Sequence, residues 1–226
     1  MNRCRQGAAG SCELIAKRMH DGATFRGMLR LMQSDLERTV MECTGGAGAG
    51  GIRYAAHVFV PSAATAILFR LSHWVFRLNL RTLAGLIAYF NQRLLGALIY
   101  PGSRIGPGLF IPHTTGVTIG VIAGPMLSVY PLCIIGPAKL PSLRADLHGC
   151  PVLGENVRIG AQAVICGDIV LGDDVIIGPE AVVETDVPAG SVLVTSRKAS
   201  PPRGGRRSPQ PDSLGAAAEE NADLDL

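Results

Sequence analysis

The sequence predicts an all-β fold, a left-handed parallel β-helix of hexapeptide repeats, preceded by an α-helical N-terminal segment. Three observations carry this. A run of hexads fills the second half, apolar residues recur at helical spacing in the first half, and a non-repeating excursion interrupts the hexads.

The hexads are plainest from Pro151 to Val192, which read PVLGEN, VRIGAQ, AVICGD, IVLGDD, VIIGPE, AVVETD and VPAGSV. Val157, Ala163, Ile169, Val175, Ala181 and Val187 hold the first position. Leu153, Ile159, Ile165, Leu171, Ile177 and Val183 hold the third. A period of six is neither helical nor the alternation of a meander. It repeats one short strand and one sharp turn, and such units stack into a solenoid. Small or β-branched residues suit a narrow interior, and Gly154, Gly160, Gly172 and Gly178 suit corners needing either positive φ or close backbone packing.

Taken in chain order, residues 1–24 show no period and read as a poorly ordered extension. Met28, Leu29, Leu31, Met32 and Leu36 give an amphipathic helix from Phe25 through Val40. TGGAGAGG at 44–51 stops it as a connector. No strand precedes those glycines and no GK[ST] follows, so they do not make a phosphate-binding loop. Residues 55–98 give two or three helices. Pro61 breaks the first, Ala63–Phe76 carries the stripe Ile67, Leu68, Leu71, Trp74 and Val75, and Thr82–Leu98 carries Leu83, Leu86, Ile87, Phe90, Leu94 and Leu95 on one side. His73 and Trp74 read as a core or subunit-contact pair. Four earlier hexads, IYPGSR, IGPGLF, IPHTTG and VTIGVI, run from Ile99 to Ile122. Register is irregular from Ala123 to Leu140, and PAKLPSLRADLHG at 137–149 fits no repeat, which makes it the place for a binding loop. The resulting division is 1–24 extension, 25–98 helical, 99–194 β-helix and 195–226 a disordered tail running from basic to acidic.

Composition excludes several classes. A net charge of +3 with no ordered basic stripe gives no nucleic-acid footprint. Arg70, Arg77, Arg81 and Arg93 interrupt the most apolar region, so no membrane span is expected. The six cysteines have neither metal-ligand nor disulfide-framework spacing, and MNRCRQGAAG lacks a signal peptide's apolar run, so a cytoplasmic protein is the expectation.

The order of helices, then IYPGSRIGPGLFIPHTTGVTIG, then GCPVLGENVRIGAQAVICG, resembles the serine acetyltransferase family. LMQSDLER (31–38) and LFRLSHW (68–74) look like that family's helical segments. The resemblance covers about residues 28–194. It implies a homotrimer or a dimer of trimers, with active sites between neighbouring subunits and acetyl-CoA, the co-substrate, in the groove between two β-helices. Backbone groups near Gly136, Gly160 and Ala161 would hold its pantetheine arm. No metal or bound prosthetic group is implied. The partners are acetyl-CoA and a small hydroxylated acceptor.

An alcohol is a poor nucleophile, so an imidazole must take its proton as it attacks the thioester. His113 matches the family's basic histidine. The departures are equally specific. The family's Asp-Ile-His-Pro is Leu98-Ile99-Tyr100-Pro101, and the aspartate before the histidine is Pro112. Its Arg-His-Pro is Gly149-Cys150-Pro151, and its Gly-Val-Pro-Ala is Thr195-Ser196-Arg197-Lys198. Arg144, Asp146 and His148 are the candidate replacements for acceptor binding, while Cys150 reads as a packed thiol. The expectation is an acetyl-CoA-dependent O-acetyltransferase acting on serine or a similar small acceptor. The alternatives are a sugar or polysaccharide O-acetyltransferase and a catalytically inactive scaffold.

Overall fold

The computed structural model describes residues 24–45, 60–139 and 142–194. Expectations for the N-terminal extension, most of the glycine connector and the C-terminal tail lie outside them.

Among the described residues three helices come first: α1 (Phe25–Thr44), α2 (Pro61–Arg77) and α3 (Arg81–Leu95). Thr24 caps α1 by accepting the Gly27 N–H at 3.0 Å, and Gly45 ends it in the left-handed region at φ 64°. The residues ahead of Val60, in which a first helix was expected to be broken at Pro61, lie outside the described ones. Pro61 itself occupies the first turn of α2, where its missing N–H costs nothing. α2 and α3 form a hairpin closed through small residues. Ala84, Gly85, Ala88 and Asn91 are buried, Ser72 Oγ donates to the Ala84 carbonyl at 3.0 Å, and Asn91 Nδ2 donates to the Thr65 carbonyl at 3.2 Å. Leu83, Leu86, Phe90 and Leu94 of the α3 stripe therefore point outward, while Ile87 packs against Val75 and Phe76. Close approach of two helix backbones favours the side with the smallest side chains.

The rest is the left-handed parallel β-helix, its three faces being three parallel sheets. Face one holds β1 (Ala97–Ile99), β3 (Val117–Ile119), β6 (Ile134–Gly136), β9 (Val164–Cys166) and β12 (Val182–Val183). Face two holds β2 (Arg104–Ile105), β4 (Ile122–Ala123), β7 (Val152–Leu153) and β10 (Val170–Leu171). Face three holds β5 (Ser128–Val129), β8 (Arg158–Ile159), β11 (Ile176–Ile177) and β13 (Val192–Leu193).

Both inward positions of the hexad are buried. Leu153, Ile159, Ile165, Leu171, Ile177 and Val183 are at most 2% exposed. Each such side chain contributes roughly 1.5–3 kcal/mol. The corner glycines serve close packing. Gly154, Gly160, Gly172 and Gly178 are not among the positive-φ residues, and a Cβ on Gly160 would stand 2.7 Å from the Pro179 nitrogen in the next coil.

A regular coil advances six residues per face. The steps Ser128 to Ile134, Arg158 to Val164 and Ile176 to Val182 all do so. Phe110 to Thr118, however, takes eight, and Thr118 to Ile122 takes four. The two shifts cancel by Ile122, so the coil after Ala123, which reads as irregular in the sequence, is itself regular. Leu127, Val129, Cys133 and Ile135 remain buried there. The true excursion is the added length between Ile134 and Val152, eighteen residues where six suffice. The first strand starts at Ala97, two residues ahead of the first hexad read from sequence.

A buried polar staple joins the helices to the first coil. Asp35 and Arg70 are 1% and 2% exposed. Arg70 Nε donates to Asp35 Oδ2 at 2.8 Å, and Asp35 Oδ1 accepts the N–H groups of Gly108 at 2.9 Å and Leu109 at 2.8 Å. Arg70 also donates to the Ile105 and Gly106 carbonyls, while Arg38 donates to the Gly108 carbonyl and to Ser128 Oγ. The segments LMQSDLER and LFRLSHW supply these groups. His73 Nδ1 donates to the Pro101 carbonyl at 2.9 Å, and burial pushes the imidazole down to about 4, so it is neutral. Trp74 meets Phe25 edge to face at 5.6 Å.

Candidate functional site

His113 stands on the expanded corner between faces three and one. Both ends of that corner are anchored. Thr114 Oγ1 donates to the Leu95 carbonyl, the Gly116 N–H donates to the Gly96 carbonyl at 2.9 Å, and the Leu132 N–H donates to the Thr115 carbonyl at 3.0 Å. Gly96 ends α3 at φ 80°, and a Cβ there would meet Thr115 Cα at 3.2 Å. The helix end and the corner are thus built against each other. The two extra residues project His113, which is exposed and has no hydrogen-bond or ion-pair partner among the described residues.

Gly160 and Ala161 lie on the same edge, further along the helix axis. The carbonyls of Thr115, Pro131 and Ala161 accept the N–H groups of Leu132, Gln162 and Glu180 in turn, one coil to the next. Successive coils are about 4.8 Å apart, so His113 and Gly160 are separated by about two such steps. Both Gly160 backbone groups are engaged: its N–H donates to the Ile177 carbonyl at 2.7 Å, and its carbonyl accepts Cys133 Sγ at 3.0 Å.

The remaining sequence-predicted residues lie on the opposite edge of face one. Gly136 ends β6, and its carbonyl accepts the Gly167 N–H at 3.1 Å. The excursion begins immediately after it. The loop folds back over the corner following face one. Leu147 lies against Gly102 and Gly120, and Leu143 and Arg144 lie against Gly85 of α3. Asp146 is already committed, accepting from Arg81 at 2.9 Å, while the Arg144 carbonyl accepts from the same guanidinium at 3.1 Å. Arg81 also lies over the Phe76 ring at 5.1 Å. His148 is exposed.

One protomer therefore brings together His113, Gly160 and Ala161, and separately Gly136, Arg144, Asp146 and His148. A face of three-residue strands, roughly 10 Å wide at 3.3 Å per residue, lies between the groups. Arg81 was not foreseen from sequence. It is 65 positions from Asp146, and no local pattern marks it.

Among the described residues no carboxylate accompanies His113. Leu98 points outward from β1 and Pro112 is half-buried. Tyr100, 5% exposed, and Cys150, also 5%, are buried where the resemblance implied polar partners, and burial raises both of their pKa values. Cys150 is a packed thiol. Among the described residues no three His, Cys, Asp or Glu side chains gather as a metal site.

A left-handed β-helix of hexads is the fold of the hexapeptide transferases. The family model "Bacterial transferase hexapeptide (six repeats)" matches residues 150–185. The serine acetyltransferase of Helicobacter pylori (strain 26695) is 33% identical over 139 residues, covering 61% of this chain and 79% of that protein. That of Synechococcus elongatus is 33% identical over 125 residues, covering 48% and 51%. The crystal structure of Neisseria gonorrhoeae serine acetyltransferase in complex with serine aligns with a TM-score of 0.62 at 27% identity, covering 77% and 68%. The chain belongs to the serine acetyltransferase family. It spans about half the length of the Synechococcus relative.

Proposed function

We propose that the protein transfers the acetyl group of acetyl-CoA to the hydroxyl of serine or a similarly small acceptor. The observation that carries this is His113, solvent-facing on a corner lengthened by two residues, in a chain of this family. The hydroxyl oxygen attacks the thioester carbonyl while the imidazole takes its proton. The tetrahedral intermediate collapses, the C–S bond breaks, and the imidazolium returns the proton to the CoA thiolate.

The separation of the candidate residues on two edges of face one supports a site shared between copies. One copy would present His113, Gly160 and Ala161, and its neighbour Gly136 with the loop at 142–149. The outward ladder of face one, Leu98, Thr118, Ile134, Val164 and Val182, is nearly all apolar and suits such packing into a homotrimer or a dimer of trimers. Among the described residues no helix is long and apolar enough to cross a membrane. The proposed compartment is the cytoplasm, where acetyl-CoA is available.

A second reading, a sugar or polysaccharide hydroxyl as acceptor, is favoured by one observation. No Asp or Glu occurs between Glu42 and Asp146, and Asp146 is paired with Arg81. A neighbouring copy brings the same residues, so this stretch offers no free carboxylate for an amino acid's ammonium group.

Thiol release from acetyl-CoA, measured with L-serine and with a panel of sugars, tests both. Turnover with L-serine that His113→Ala abolishes supports the first reading, and turnover with sugars alone replaces it by the second. Failure to turn over any acceptor or to bind CoA would overturn both and leave an inactive scaffold.

A further inference from the structure

The face of α3 that the hairpin leaves outside is built for a surface of particular chemistry. At 100° per residue, Leu83, Leu86, Phe90 and Leu94 fall within about 80° of arc, away from Ala84, Ala88 and Asn91, while Ile87 beside them packs against Val75, Phe76 and Ala84. Leu83, Leu86, Phe90 and Leu94 are 46% to 74% exposed, and Leu80 at the start of the helix is 53% exposed. Scattered surface leucines need no explanation, but a continuous stripe of this size does.

The charge around the stripe is one-sided. Neither α2 nor α3 contains an acidic residue, and none occurs from residue 43 to 145. Arg77 and Arg93 are exposed and have no acidic partner among the described residues. Arg93 borders the stripe next to Leu86. A second copy docked face to face through this stripe would set arginines against arginines with no acid to neutralise them. At 15 residues, α3 is about 22 Å long, too short to span a bilayer.

We propose that the α2–α3 hairpin docks on an anionic lipid surface, with α3 lying in the interfacial plane. Its leucines and Phe90 enter the acyl boundary, and Arg77 and Arg93 reach the lipid phosphates. This surface is separate from His113 and asks nothing of the transferase reading.

The full chain would be sedimented with phosphatidylglycerol–phosphatidylcholine vesicles and with phosphatidylcholine vesicles alone. The wild type is expected to pellet with the first at low salt, to be released by high salt, and to remain largely soluble with the second. Leu86→Ser with Phe90→Ser should abolish pelleting. Arg77→Gln with Arg93→Gln should weaken it at least tenfold, about fivefold for each arginine. Sedimentation velocity of each variant reads the oligomeric state. Wild type that stays in solution with anionic vesicles, or binds neutral vesicles equally well, overturns the proposal. So does a Leu86→Ser, Phe90→Ser variant whose oligomer dissociates, because the stripe would then belong to a contact between copies. Acetyl transfer to soluble acceptors should be unchanged in both variants, so failure of either reading is visible without the other.

Discussion

The coils from Pro151 to Val183 and those from Ala97 to Gly136 use the same hexad differently. In the later coils the steps from Val164 through Val182 are six residues each, and the inward side chains form an unbroken buried ladder. In the earlier coils one corner gains two residues, the next loses two, a loop is spliced in after Gly136, and helices are bolted on through Asp35. The regular coils make a shaft. The lengthened corner carries His113, and the spliced loop carries Arg144, Asp146 and His148.

The sharpest way to break this comparison is at the expanded corner. His113→Ala should lower kcat by ~10²–10⁴-fold while leaving thermal unfolding unchanged, because an exposed unpaired imidazole contributes little to the fold. Equal loss of stability and activity would show that the corner is structural. Next in size, Asp35→Ala leaves the Arg70 guanidinium buried without its partner and should cost about 3–5 kcal/mol in urea unfolding. The matching change in the shaft, Ile165→Ala, should cost about 2–5 kcal/mol through the cavity it leaves. If the Asp35 variant proved milder than Ile165→Ala, the staple would be dispensable and the two regions would be held alike.

His73 gives a pH test of the helix–coil junction. Unfolded, it takes up a proton near its ordinary 6.5, whereas in the fold it does so only at about 4. Between those values the unfolded state binds more protons, so stability falls as pH drops through that window. The loss should reach about 3 kcal/mol by pH 4 and should disappear in His73→Gln. The smallest effect belongs to the Arg81–Asp146 pair, half-exposed on both sides. Asp146→Asn should cost about 0.2–1 kcal/mol at low salt and less at high salt, read as the urea midpoint.

Much of this was legible in the sequence, for reasons the two regions make plain. Leu153 through Val183 announce themselves because the narrow interior accepts only certain side chains at fixed spacing. His113 was singled out by its motif, and the structure places it exposed on the lengthened corner. What sequence hid was compensation. The gain of two residues before Thr118 and the loss of two after it cancel, so that stretch reads as regular hexads. The α3 stripe was visible as apolar, but periodicity alone does not tell a buried face from an exposed one. Here the small residues Ala84 and Ala88 decided which side packs. Arg81 and Asp146 meet only because the loop folds back, and no local pattern encodes that.

The staple also has a consequence for how the chain is made. Contacts in a solenoid are mostly between neighbouring coils, so such a protein can assemble in sequence as it is synthesised. Asp35 is an exception, since its backbone partners lie 73 and 74 residues downstream. During translation α1 leaves the ribosome with its carboxylate unpaired, and Arg70 emerges next. Neither can be buried with its bonds satisfied until Leu109 is free. The first coil and the helices are therefore closed by one shared set of bonds, at the end of the β-helix from which the later coils continue.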